Sequence, residues 1–303
     1  MSLTRREALG MLTMGLIARG ALAAAATPHD RIVISGASGQ LGGQAVKLLL
    51  ARGVPARNLI LVSRTPDDLA DYAKQGAAVR FGDFTKPESL PAAFAGGTRM
   101  LLISIGFGAM PRPQAHGNAI TAARAVGMKQ IAYTSWVGIT RGDTAGLAVD
   151  HIATEDLLRK SGVAWTFLRN SIYMDTQLGP AAKMIAEGKV TVPNPEYPIG
   201  YVTRDNCAQA AAAVLRPGHE NKSYDITGPA LLGVRDIAAA ASKVSGRPIT
   251  VLPPVPDAPP ASGSFASPAI SVTSTAVADL TGQPATPIME FFAANKAALA
   301  GQG

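Results

Sequence analysis

From Arg31 onward the chain alternates short β-branched apolar runs with longer alanine- and leucine-rich stretches whose apolar positions recur at helical spacing. Short apolar runs bounded by turn residues suit strands buried on both faces, and the longer periodic stretches suit helices laid over such a sheet. The pattern predicts strands at Ile32–Ser35, Leu59–Ser63, Ala78–Phe81, Met100–Ile105, Gln130–Ser135 and Ala164–Leu168. Between them it predicts helices at Leu41–Arg52, Pro66–Gln75, Pro87–Ala95, Pro113–Val126 and Val149–Ser161. Alternating strands and helices define an α/β fold with a parallel sheet. Right-handed crossovers then favour the spatial order 3-2-1-4-5-6 of a doubly wound sheet.

Beyond Asn170 the regularity weakens. Helices are predicted at Gly179–Glu187, Arg204–Leu215, Arg235–Ser245 and Pro287–Leu299, with short strand-like pieces between them. Thr203 stands where its hydroxyl can cap the helix that begins at Arg204. The stretch from Pro253 to Pro268 carries six prolines among small residues and reads as a loop. Residues 27–170 are thus the sheet-forming core, and residues 171–303 a small C-terminal, substrate-side lobe packed on the same domain.

The first 26 residues follow a different rule. Thr4-Arg5-Arg6 is followed by an apolar stretch from Ala8 to Ile17, and Ala21 to Ala26 offers small-residue cleavage sites. This is the layout of a targeting segment, and its apolar part is only about half of the ~20 residues needed to span a bilayer. Thr4-Arg5-Arg6-Glu7-Ala8-Leu9 resembles a twin-arginine export signal, with Ala8 where such signals usually place Phe. The expected location is therefore the periplasm or beyond it, or the cytoplasm if the signal goes unused, with no stable membrane span.

Composition narrows the function classes. Hydrophobic residues make up 47% of the 303 and charged residues 16%, the balance of a globular protein. The net charge is +7, yet no Lys/Arg run is interleaved with aromatics, which argues against nucleic acid as partner. A mildly basic surface does suit a polyanionic small molecule. Cys207 is the only cysteine, so no disulfide forms within the chain. His29, His116, His151 and His219 stand far apart, and no metal site is expected.

The chemistry concentrates where Ile32-Val33-Ile34-Ser35 runs into Gly36-Ala37-Ser38-Gly39-Gln40-Leu41-Gly42. Gly36 suits a tight turn with positive φ, Gly39 a close approach to a pyrophosphate, and Gly42 a helix lying close on the strand. The phosphates then sit at a helix N-terminus, on unpaired N–H groups. A glycine triplet alone is weak; on the first βα turn it marks residues 36–42 as the cradle of a nicotinamide dinucleotide. At the end of the second strand a carboxylate would select NAD, but Ser63-Arg64 stands there. Arg64 can pair with a 2′-phosphate, which makes NADPH (NADP) the expected cofactor. Asp83 and Phe84, after the third strand, are assigned to the adenine end, with helix capping the alternative for Asp83.

Active sites of open parallel sheets lie at the carboxyl ends of the strands. Those ends are Ser104-Ile105-Gly106-Phe107, Thr134-Ser135-Trp136 and Arg169-Asn170-Ser171-Ile172-Tyr173. Ser104, Ile105, Ser135, Asn170 and Ser171 are assigned to the cofactor, and Tyr173 is a candidate catalytic residue. No tyrosine is followed four residues on by lysine, the pair that supplies a proton in many ketone reductases. In its place stands Asp150-His151-Ile152-Ala153-Thr154-Glu155. His151 and Glu155 fall on one helix face, able to contact each other, so His151 is the second catalytic candidate, as proton donor or substrate holder.

Together these segments, with Leu101-Leu102-Ile103-Ser104 and Ile131-Ala132-Tyr133-Thr134-Ser135, resemble the NmrA-like branch of atypical short-chain dehydrogenases. Within it the likeness runs to bacterial type 2 NADPH:quinone oxidoreductases and reaches Leu280-Thr281-Gly282-Gln283-Pro284. The resemblance implies an extended Rossmann-type fold, NADPH along Gly36 to Leu41, Arg64 at the 2′-phosphate and Asn170 to Tyr173 beside the nicotinamide. It implies hydride transfer to a quinone or similar conjugated carbonyl, an acceptor that tolerates a missing tyrosine acid. The alternatives are a non-catalytic NADP(H) sensor that binds a protein partner and a sugar-nucleotide epimerase. The expected partner is a small, quinone-like substrate, with a homodimer allowed.

Overall fold

The structure, a computed structural model, describes residues 30–106, 108, 110–141, 146–256 and 267–300. The export segment, Phe107 and most of the proline-rich stretch lie outside the described residues. The strands are β1 (Ile32–Ser35), β2 (Leu59–Ser63), β3 (Ala78–Phe81), β4 (Arg99–Leu102), β5 (Gln130–Trp136), β6 (Ala164–Asn170), β7 (Lys189–Thr191), β8 (Lys222–Ile226) and β9 (Thr250–Leu252). The helices are α1 (Gln40–Ala51), α2 (Ala70–Lys74), α3 (Leu90–Phe94), α4 (Arg112–Ala125), α5 (Leu147–Lys160), α6 (Leu178–Glu187), α7 (Arg204–Val214), α8 (Val234–Ser245), α9 (Ala276–Thr281), α10 (Ile288–Ala294) and α11 (Lys296–Leu299).

Seven strands form one sheet in the order β3-β2-β1-β4-β5-β6-β8, every neighbouring pair parallel. The six-strand order expected from the sequence is present, with β8 added outside β6. Strand alternation divides the core into two layers. Ile32, Ile34, Leu59 and Leu61 join the apolar layer under α1 and α7. Val33, Ile60 and Val62 join the opposite layer under α3 and α4. A third apolar cluster belongs to the C-terminal lobe, where Met184, Ile237, Ile270 and Phe292 pack around Trp136, Val137 and Ile172. The lobe also holds a two-stranded parallel sheet of β7 and β9.

Several elements differ from the sequence reading. β4 stops at Leu102 rather than Ile105, because the backbone beyond it bonds to side chains instead of neighbouring strands. Ile103 N–H donates to Ser35 Oγ at 3.0 Å, Ser104 N–H to Thr134 Oγ1 at 2.8 Å and Ile105 N–H to His116 Nε2 at 3.1 Å. The stretch from Pro66 and that from Pro87 each open with a 3₁₀ turn before α2 and α3. The last predicted helix breaks at Asn295 into α10 and α11. Thr203 caps α7 as expected, accepting from Asn206 N–H at 3.1 Å.

Candidate active site

The direction of winding reverses between β1 and β4, the place at the carboxyl edge where open α/β sheets bind their ligands. The glycine turn stands there. Gly36 has φ +65°, the left-handed conformation that favours glycine. A Cβ on Gly42 would lie 2.2 Å from the Gly36 carbonyl oxygen, so only glycine lets α1 begin this close to β1. Ala37 N–H donates to the Val62 carbonyl at 3.0 Å, tying the turn to β2. No side chain caps α1 at Gly39, and its first turn carries no acidic residue. The amides of that turn thus keep their bonding capacity for an anion such as a pyrophosphate.

Beside the turn, the Ser38 and Ser63 hydroxyls lie 2.7 Å apart, and Thr65 N–H donates to Ser63 Oγ at 2.9 Å. Arg64 is exposed within this hydroxyl cluster. Its charge reaches Asp83. Asp83 Oδ1 accepts from Thr85 N–H at 2.9 Å and Thr85 Oγ1 at 2.8 Å. Burial raises the Asp83 carboxyl, but the two Thr85 donors with Arg64 and Lys86 outweigh it and hold the carboxyl below its ordinary value. Oδ1 thus closes a turn over Thr85 and caps no helix: the turn that opens at Pro87 has Lys86 at its N-terminus with no side-chain cap. Phe84 corrects its assignment more fully: its ring is buried, edge-on to His116 at 6.3 Å, and its carbonyl accepts from Asn118. It belongs to the core.

At the end of β6 two buried polar atoms, Asn170 Oδ1 and Ser171 Oγ, have no protein partner. Buried polar atoms are nearly always satisfied, so this pair marks a place for a polar ligand group. A nicotinamide carboxamide, with donors and an acceptor, has the chemistry to meet both. Asn170 Nδ2 donates to Tyr173 Oη at 3.3 Å, and the Arg204 guanidinium sits 5.0 Å above the Tyr173 ring. Burial pushes the Tyr173 phenol above its ordinary value. The glycine cradle and this unsatisfied pair fit a nicotinamide dinucleotide.

The α5 residues separate rather than pair. Glu155 turns away from His151: Arg169 Nε and Nη2 donate to its two carboxylate oxygens at 2.9 and 2.8 Å, and Arg159 Nη2 donates at 2.7 Å. Ser135 Oγ also donates to Glu155, at 2.7 Å, so its proton is committed to that carboxylate and its lone pairs are what it can offer a cofactor. His151 instead places Nδ1 2.8 Å from Tyr133 Oη and lies parallel to Trp136 with ring centres 6.3 Å apart. Burial, then Arg112 and His116, push the His151 imidazole from 6.5 down to about 3. A proton-donating imidazolium is thereby disfavoured, and His151 works as a neutral ring. Arg112 Nε donates to the Ile105 carbonyl at 2.8 Å, and its Nη1 lies 3.5 Å from Asp150. Tyr133, His116 and Arg112 were not singled out by the sequence. Only the position of Tyr133 on a strand and of His116 and Arg112 on the helix before it could have signalled them. Among the described residues no cluster of three or more His, Cys, Asp or Glu could hold a metal, and no helix is long and apolar enough to cross a membrane.

The fold and its glycine turn define a nicotinamide-dinucleotide-binding α/β protein. Residues 36–217 match the NAD(P)H-binding family model. Quinone oxidoreductase 2 of Escherichia coli K12 is 37% identical over 222 residues, 72% of this chain and 76% of that protein. NAD(P)H azoreductase of Xenophilus azovorans is 29% identical over 220 residues, 72% of this chain and 75% of that protein. In structure, the Escherichia coli quinone oxidoreductase QOR2 complexed with NADPH superposes with a TM-score of 0.78 and 31% identity, covering 88% of this chain and 99% of that one. Triphenylmethane reductase of Citrobacter sp., complexed with NADP(H), gives a TM-score of 0.74 and 33% identity over 86% of this chain and 98% of that one. The chain belongs to the NAD(P)H-binding, NmrA-like family of atypical short-chain dehydrogenases, as an NAD(P)H-dependent oxidoreductase.

Proposed function

We propose that this protein uses NADPH to reduce quinones or similarly conjugated acceptors. The observation that carries the reading is the state of the candidate acids, His151 on α5, Tyr133 on β5 and Tyr173 after β6. His151 is held neutral, and burial raises the phenols of Tyr133 and Tyr173. None of these three gives up a proton readily near neutral pH, as reduction of an ordinary ketone requires. A quinone removes that requirement, because its reduced oxygen is a phenolate that water can protonate. The relatives above, named for quinone, azo and triphenylmethane substrates, support a conjugated acceptor.

Bound NADPH supplies a hydride. The residues of this chain do the rest: the Gly36 turn and the first turn of α1 hold the pyrophosphate, Arg64 meets the 2′-phosphate, and Asn170 and Ser171 orient the carboxamide. Tyr173, bonded to Asn170, stands beside that carboxamide, while Trp136 packs in the core of the C-terminal lobe. The twin-arginine segment supports export of the folded chain. In the assay, purified protein oxidises NADPH saturably with benzoquinone or a naphthoquinone, faster than with NADH, and leaves a saturated ketone untouched. Tight NADPH binding with no quinone turnover would replace this reading with the sensor role, which the reductase relatives do not favour.

A further inference from the structure

Between α4 and α5, at the ends of β4 and β5, a chain of hydrogen bonds links the Ile105 backbone to His151, and its direction can be read. A backbone N–H only donates, so His116 Nε2, 3.1 Å from Ile105 N, carries a lone pair and the His116 proton sits on Nδ1. Thr154 Oγ1, 3.0 Å from that Nδ1, already gives its own proton to the Asp150 carbonyl at 2.8 Å and so accepts here. Tyr133 Oη meets His116 Nδ1 at 3.5 Å, which bears a proton, His151 Nδ1 at the shortest distance, 2.8 Å, and also the Thr154 hydroxyl. With the phenol proton on the short 2.8 Å contact rather than on Thr154, His151 Nδ1 is the acceptor. In that arrangement His151 carries its own proton on Nε2, a nitrogen with no hydrogen bond among the described residues.

We infer that Tyr133 and His116 are positioning residues that lock His151 as a neutral Nε2–H donor, aimed at the oxygen that gains negative charge as the acceptor is reduced. This deepens the proposed quinone reduction and rests on it. A neutral imidazole keeps its proton: hydride adds to the quinone, one oxygen becomes a phenolate held by the Nε2–H bond, and water protonates it. Such a preorganised donor needs no reorganisation as the charge develops. The surrounding charges keep the ring neutral. Arg112 projects from α4, with Asp150 of α5 beside it, and the Glu155 carboxylate one turn on is taken up by Arg159 and Arg169. A similar use of a neutral histidine as electrophile is known in triosephosphate isomerase.

The test is nitrogen-15 NMR of the histidines in the full chain with NADPH bound, together with quinone turnover. Expected are a proton on Nδ1 of His116 and on Nε2 of His151, neither titrating between about pH 6 and pH 8, the range in which an unperturbed histidine changes charge. Tyr133→Phe should leave NADPH affinity unchanged, mix the His151 tautomers and lower kcat roughly ten- to a hundredfold, the usual loss when the group orienting a working imidazole is removed. His151→Gln, whose amide N–H can take the place of Nε2–H, should retain more turnover than His151→Leu. That pair needs no change at Tyr133, should Tyr133→Phe fold poorly. A His151 protonated on Nδ1, or charged near neutral pH, in an enzyme that turns over quinone overturns the inference and spares the proposed function. Undiminished kcat in Tyr133→Phe with mixed tautomers also overturns it. Absence of quinone turnover with the Nε2–H tautomer in place removes the proposed function and the role assigned here to His151.

Discussion

Mild acid should weaken this fold, and the effect can be traced to two histidines. His116 and His151 are 0% and 5% exposed, and burial with the Arg112 charge lowers both imidazoles from 6.5 to about 3. Between those values the unfolded chain binds one more proton per histidine than the native chain does, so stability falls as pH falls. The contribution is complete above about pH 6.5 and is lost progressively toward pH 3. At about pH 5 each histidine is roughly 1.5 units below its unfolded value, which at ~1.4 kcal/mol per unit removes about 2 kcal/mol. The pair removes about 4 kcal/mol, a large part of the ~5–15 kcal/mol typical of a folded protein. Asp83 and Glu220, whose carboxyls are lowered, act in the same direction but mainly below their ordinary values of 3.8 and 4.5. Urea denaturation of the cofactor-free chain from about pH 7.5 to about pH 5 measures the change, read from the midpoint and slope. A loss below about 1 kcal/mol, or a full slope retained in a His116→Gln/His151→Gln double variant, would refute the reasoning.

Other expectations follow from the geometry. Gly42→Ala puts a Cβ 2.2 Å from the Gly36 carbonyl oxygen, and relieving that clash displaces α1 from β1. Isothermal titration should show NADPH affinity falling by at least tenfold, alongside a stability cost of about 1–3 kcal/mol from overpacking. Arg64→Ser should weaken NADPH roughly ten- to a hundredfold while leaving NADH nearly unchanged, as loss of a charge-assisted bond to the 2′-phosphate implies. Glu155→Leu strands Arg169, whose side chain is 11% exposed, and thermal or urea unfolding should show a loss of about 3–5 kcal/mol. Replacing Arg5 and Arg6 with lysines should abolish export of a folded reporter fused to residues 1–26, since the paired arginines carry that signal.

The parts of the fold written in strong local signals were legible. β1, β2 and β3 match residue for residue: β1 and β2 are buried, continuous apolar runs, and β3, an edge strand, is bounded by the glycines Gly76 and Gly82. β8 was missed because Lys222-Ser223-Tyr224-Asp225-Ile226 is an edge strand with two exposed residues and no apolar run. The cofactor end of the site was legible for a related reason: the glycines of residues 36–42 report a backbone requirement that no side chain can satisfy. The catalytic end was not. Helical spacing put His151 and Glu155 on one face, but cannot say that Arg169 from a strand captures Glu155 or that Tyr133 captures His151. Those partners are 14 and 18 residues distant in sequence and meet only when the sheet forms.

The seventh strand also governs how this protein can be cut and recombined. β8 closes the flank of β6, α7 covers α1, and the Gln130 side chain donates to the Val214 carbonyl across that junction at 3.3 Å. A fragment ending near residue 170 would expose a bare strand edge and the apolar side of α1, a surface that invites aggregation. The nucleotide-binding half is therefore no portable cassette. In a chimera with a relative, the exchange of substrate preference belongs in the loops and helices that follow each strand, with the segment from Arg204 to Ile226 retained from the same parent as β1 and β6.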